Sequence, residues 1–154
     1  MKQIDPQHWD NVSELAAAIA TASMQDDDIL VESKTAAINV LLDELEVLYP
    51  NHPSLQATRA DYADNPASRI ELLISAYRFA EGFRDRKNQV MIAISLVEEY
   101  KDQQDWENCS HWLAIAKNHA TMWGRLSEKK EIVTLERDVR EERKRKREGE
   151  EGQL

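Results

Sequence analysis

The chain has one cysteine, four glycines and four prolines in 154 residues, and no apolar run approaches the roughly 18 residues that would cross a bilayer. Each scarcity excludes something. A lone Cys109 rules out an internal disulfide and a cysteine-built zinc site. With few glycines and prolines the strongest helix breakers are rare, and the plentiful Ala, Leu, Glu, Arg and Lys then point to an all-helical protein. Phosphate-cradling loops are missing, because no GxGxxG and no GK[ST] occurs. The histidines at 8, 52, 111 and 119 form no HExxH and no i,i+4 pair; His111 and His119 could share a helix face but lack a third ligand. The opening MKQIDPQHWDNVSEL carries Asp5, Asp10 and Glu14 where a secretion signal would be basic and then apolar, so a soluble cytoplasmic protein is expected.

What is present is a chain 42% hydrophobic with a formal net charge of −9. That is enough apolar material for one real core, and a single domain over 1–139 is expected, followed by a charged helical extension or disordered tail over 140–154. The charge is unevenly placed. Residues 1–64 hold 3 basic and 12 acidic side chains, 65–126 hold 8 and 8, and 127–154 hold 9 and 9. The whole imbalance lies in the first segment, which disfavours general affinity for nucleic acid or anionic membrane. It suits a basic partner, or serves only solubility.

Seven helices follow from the apolar spacing. Asp5 and Pro6 read as an N-cap and first helical residue, and Trp9, Val12, Leu15 or Ala16, Ile19 and Ala22 recur every three or four positions. The acidic run at 26–28 can cap a second helix, whose predicted stripe is Ile29, Ala36, Ala37, Val40, Leu41, Leu45 and Leu48. Between the prolines at 50, 53 and 66 lies a thin stripe of Leu55, Thr58 and Tyr62, read as a short third helix. Ile70, Leu73, Ala76, Tyr77, Ala80 and Phe83 give a fourth, stopping around Gly82. A fifth begins near Asn88 and is apolar almost all round over 90–97, as a covered helix would be. Asp105 caps a sixth, carrying Trp106, Cys109, Trp112, Leu113 and Ala116 to Trp123 and Gly124. A seventh starts at Ser127 with a narrow stripe of Ile132, Leu135 and Val139, beyond which it should project into water. Short connections imply antiparallel neighbours.

Residues 90–121, VMIAISLVEEYKDQQDWENCSHWLAIAKNHAT, resemble a tetratricopeptide repeat, the helical hairpin of about 34 residues. The matches are Leu96 and Tyr100 in the first helix, Asp105 and Trp106 at the turn, Cys109 in a position the family usually fills with alanine, and Leu113 and Ala116 in the second helix. Departures are Val97 and Gln104 where glycine is common and Thr121 where proline often ends the unit. A fainter unit over 48–80 has the proline boundary and Tyr62, spaced 38 residues from Tyr100. The resemblance implies stacked antiparallel hairpins that bind a peptide or partner protein without chemistry, as an adaptor, chaperone or inhibitor, in a groove lined by first helices. The residues on that face would be Met91, Ile94, Glu98, Lys101 and Asp102; the competing reading makes Met91 and Ile94 core. A plain helical bundle competes with the repeat.

Other readings stay open on the residues. Glu99 and Asp102 supply the ExxD half of the carboxylate set by which all-α nucleotide hydrolases hold magnesium, but no ExxE stands upstream. No catalytic residue, metal or cofactor is therefore expected. Cys109 sits in an apolar stripe without an adjacent base, as a buried inert thiol would. Trp112 and Trp123, eleven apart, either pack under the seventh helix or form an aromatic patch for a partner or a second copy, and a homodimer would also complete an array of only two repeats. The tail EERKRKREGEEGQL suggests a nucleic-acid arm, yet Arg137 with Glu141, Glu141 with Arg145 and Glu142 with Lys146 are opposite charges at i,i+4, which suit a solvated helix.

Overall fold

Three of the turns between helices are built alike, and none uses glycine. In each, one residue takes a left-handed backbone (Asp26 at φ 53°, Arg84 at 55°, Gln104 at 57°) and an aspartate follows it. Each aspartate N–H donates five residues back, to the carbonyls of Ala22, Ala80 and Tyr100 at 3.0, 2.8 and 2.9 Å, closing the helix that ends. Its carboxylate then caps the helix that begins, accepting from the N–H of Leu30, Asn88 or Asn108. Asn88 and Asn108 each donate a further side-chain bond to their aspartate, at 2.6 and 2.8 Å. Gln104, at the position where a repeat turn commonly has glycine, thus adopts the conformation that glycine would favour.

The computed structural model describes residues 1–153. Among these it has seven helices and no strand: α1 (Pro6–Met24), α2 (Asp28–Leu48), α3 (Pro53–Asp61), α4 (Pro66–Gly82), α5 (Arg86–Asp102), α6 (Trp106–Trp123) and α7 (Leu126–Glu151). The all-α expectation holds, and the helix starts at Pro6 and Trp106 fall where their caps put them. Two starts differ. α5 begins two residues before Asn88 because Asp85 is its cap. α7 begins at Leu126, where the Glu128 carboxylate accepts from the Arg125 N–H at 2.7 Å in place of a cap at Ser127. Contacts divide the chain into two compact units, Met1–Leu72 and Leu73–Leu154, where the sequence reading takes 1–139 together.

In the first unit α1 and α2 pack antiparallel. The Tyr49 hydroxyl, at the end of α2, accepts from the Asp5 N–H at 3.0 Å and lies 3.0 Å from His8 Nδ1. Val12, Ile38, Leu42, Leu45, Tyr49 and Leu55 form the core, with Trp9, Leu15, Ile19, Leu41 and Tyr62 packed around it. α3 is tied across α2 by Arg59 to Asp43 at 2.6 Å and Gln56 to Glu46 at 3.2 Å. The predicted stripe of α2 needs correction. Ile38 and Leu42 are fully buried, whereas Ile29, Val40 and Leu48 are exposed. α2 is apolar on two opposite faces, and α1 covers the one with Ile38, Leu42 and Leu45.

In the second unit α5 is central, as its all-round apolar sequence predicts. Val90, Ile92, Ala93, Ile94, Leu96 and Val97 are all buried. α6 folds back on it, with the Cys109 thiol donating to the Val97 carbonyl at 3.6 Å, and Ala93, Cys109 and Ala116 leaving no side chain to hold the helices apart. α7 then runs back along α6, since Ser110 meets Arg143 and Lys117 meets Glu136. Against α5 it is parallel, since Glu98 meets Glu131 and Lys101 meets Asp138. Ile132, Leu135 and Val139 are its buried stripe. Tyr77 of α4 sets its ring edge-on to Trp112 at 5.1 Å and its hydroxyl 2.7 Å from His119 Nε2.

Candidate partner-binding groove

The antiparallel pair α6 and α7 leaves an open groove along its solvent side. On α6 the lining residues are Ser110, Leu113, Ala114, Lys117, Ala120 and Thr121; on α7 they run from Lys129 and Val133 through Glu136 and Arg140 to Arg147. Both sets repeat every three or four residues, so each is a single helix face. The groove has two parts, of about 570 and 250 Å³, which share Lys117 and Glu136. These two residues form an ion pair at 2.7 Å that marks the junction.

The parts differ in chemistry. Near the α6–α7 turn the lining is Ala120, Ile132 and Val133 with Thr121 and Lys129 at the edge. Toward the end of α7 the floor is Leu113, Ala114 and Val139, and above it stand Arg140, Arg143, Lys144 and Arg147. Arg143 donates to the Ser110 hydroxyl, which fixes its guanidinium across the groove. Lys144 makes only a long, exposed contact with Glu148 at 3.8 Å. Arg140 and Arg147 form no ion pair among the described residues, so two guanidinium groups remain free for an anionic guest. The groove continues past Arg147 to Trp106, which lies half-buried beside Arg143, Lys146 and Arg147.

The residues nominated from the sequence are scattered. Met91 is on the surface of α5 and 47% exposed, but Ile94 and Trp112 are core residues and cannot meet a partner. Glu98 and Lys101 face α7: Lys101 pairs with Asp138 at 3.2 Å, and burial, then the hydrogen bond and charge of Glu131, push Glu98 above the usual carboxylate range. Asp138 is held below that range by its bond with Lys101. Asp102 is exposed at the end of α5. Trp123 is 53% exposed with the Arg86 guanidinium 5.1 Å above its ring, so it stands apart from the buried Trp112. The basic groove itself was not nominated. Beyond Val139 the helix does lack buried residues, as its sequence predicts, yet Arg143 ties it back to α6. The ion pairs formed there are Glu142 with Arg145 at 2.8 Å and Lys144 with Glu148, not the i,i+4 set read from the tail.

Cys109 is buried, which pushes its thiol pKa up. Among the described residues no three His, Cys, Asp or Glu side chains are grouped to hold a metal ion, and no helix is long and apolar enough to cross a membrane. The chain matches no protein-family model, no curated protein and no solved structure.

Proposed function

We propose that this protein is a non-catalytic interaction module of the cytoplasm, an adaptor, chaperone or inhibitor built from helical hairpins in the manner of a tetratricopeptide repeat. Its partner presents an acidic amphipathic segment to the α6–α7 groove. The observation that carries the reading is the pairing of an apolar floor (Leu113, Ala114, Val139) with four cations, of which Arg140 and Arg147 form no ion pair among the described residues. An apolar floor contributes affinity through burial, and the guanidinium groups select acidic side chains by bidentate hydrogen bonds. Two features support the hairpin-repeat part: the shared construction of the turns before α5 and α6, and the parallel course of α5 and α7, the relation between first helices of successive hairpins.

The acidic first segment suits a basic partner, whereas the guest of the α6–α7 groove is acidic. A nucleic acid would also meet the cations, but its phosphates gain nothing from Leu113 and Val139, and a chain of net charge −9 repels it at long range. The test is fluorescence anisotropy with a labelled helical peptide of alternating Glu and Leu faces, against a single-stranded RNA of equal charge. The peptide binds more tightly, and the double reversal Arg140→Glu, Arg147→Glu weakens it roughly tenfold or more without lowering the melting temperature. Tighter RNA binding, or indifference to the reversal, refutes the proposal.

A further inference from the structure

We propose that the outer face of α2 is a second interaction surface, and that it takes a basic amphipathic helix from another protein. α2 carries two apolar stripes. The inner one is covered by α1, but Ile29, Val40 and Val47 are 84, 58 and 82% exposed. Together with Ala36 they fall at i, i+7, i+11 and i+18, a straight line down the helix opposite Ile38 and Leu45. At 1.5 Å per residue the line is about 27 Å long, five turns of a docked helix. Scattered exposed apolar residues are ordinary on a surface, but four aligned on one helix, with the polar Glu32, Ser33, Asp43 and Glu44 in the turns between them, form a ridge with charged flanks.

The surrounding charge selects the occupant. Glu32 and Glu44 stand exposed beside the stripe, and the acidic run at 26–28 lies at its N-terminal end. Few cations answer them in residues 1–64. Arg59 is spent on Asp43, Lys2 lies over the Tyr49 ring, and Lys34 is half-buried. A second copy of α2 laid on this face would bring the same carboxylates against themselves, and an anionic membrane would meet the same repulsion. A helix with an apolar stripe flanked by Lys and Arg satisfies both the stripe and its rim. The basic helix of this chain cannot be that guest, because the apolar face of α7, Ile132, Leu135 and Val139, is already buried.

The experiment titrates the full chain, labelled with ¹⁵N, with a synthetic Leu/Lys amphipathic helix of about 18 residues; a scrambled peptide of the same composition serves as control. Amide shifts concentrate on α2 at one-to-one stoichiometry, and the scrambled peptide binds roughly tenfold more weakly or not at all. Ile29→Ser with Val40→Ser, and separately Glu32→Lys with Glu44→Lys, each weaken binding by a similar factor while circular dichroism and melting temperature stay put. Equal binding of the scrambled peptide overturns the proposal, as does insensitivity to the α2 variants. Sedimentation showing a dimer that Val40→Ser dissociates assigns the stripe to a second copy instead and equally overturns it.

Discussion

Replacing Gly124 by alanine tests how the groove is closed at its turn. The residue sits at φ −73° and ψ 148°, a conformation open to alanine, so the backbone alone predicts a benefit: removing a glycine from the unfolded ensemble is worth about 0.4–1 kcal/mol. Space predicts the reverse. A Cβ on Gly124 would lie 2.7 Å from the Ala120 Cα and 2.8 Å from the Ala120 carbonyl oxygen, where ordinary contacts begin at about 3.5 Å. Those atoms are backbone of the last turn of α6, and the Gly124 N–H is bonded to the same carbonyl at 2.9 Å, so neither side can rotate away. Overpacking of this kind costs about 1–3 kcal/mol, which exceeds the entropic benefit. At about 2–4 °C per kcal/mol for a chain of this size, Gly124→Ala should melt several degrees lower by calorimetry. Gly82 is the control, because it also stands at negative φ but a Cβ there meets nothing within 4 Å; Gly82→Ala should melt slightly higher. If Gly124→Ala matches or exceeds the parent while Gly82→Ala behaves as stated, the close approach at the turn is not real.

Three further outcomes follow. Glu98, raised above its ordinary pKa, is stabilising while protonated and loses that contribution as pH rises through its folded pKa; Glu98→Gln should therefore raise the melting temperature at neutral pH and make no difference in acid, as read by melts across pH. His119 is shifted the other way, by burial and then by Arg86, so its contribution is present above about pH 6.5 and is lost as pH falls toward the folded value; His119→Gln should flatten the stability profile in that window. Cys109 should react with a thiol reagent only at the rate of unfolding, and a fast native-state reaction would contradict its placement against Val97.

Much of the fold was legible because its signals are local. The caps at Asp5 and Asp105 and the proline boundaries need only a few adjacent residues to act, and the all-round apolar run at 90–97 announces a central helix wherever its neighbours lie. α2 was misread for a reason that is equally physical. Its two stripes are similar in composition, and periodicity reports that faces exist without reporting which one α1 covers. Ile94 and Trp112 carry the same ambiguity: the resemblance to a hairpin repeat names a face for Ile94 and a spacing of eleven pairs Trp112 with Trp123, but whether each is surface or core depends on what neighbouring helices, such as α4 with Tyr77, bring against it. The left-handed positions at Arg84 and Gln104 carried no glycine and so gave no turn signal of the usual kind; the aspartate and the asparagine three residues after it, DRKN and DWEN, were the legible part.

The groove escaped notice because composition averages over angle. Residues 127–154 hold nine basic and nine acidic side chains, and a neutral segment invites the reading of a solvated helix. Wound at 3.6 residues per turn, however, Lys129, Arg140, Arg143, Lys144 and Arg147 fall within about 60° of one line with Glu136 the one acid between them, while Asp138, Glu141 and Glu142 are carried to the other side. Lys117 from α6 then pairs with Glu136, the acid that stands between these cations. The i,i+4 pairs counted along the tail link residues across the helix surface and so conceal this sorting. Net charge governs long-range steering, but a guest at contact distance meets only the side chains on the face it touches, and on this face they are cations over an apolar floor.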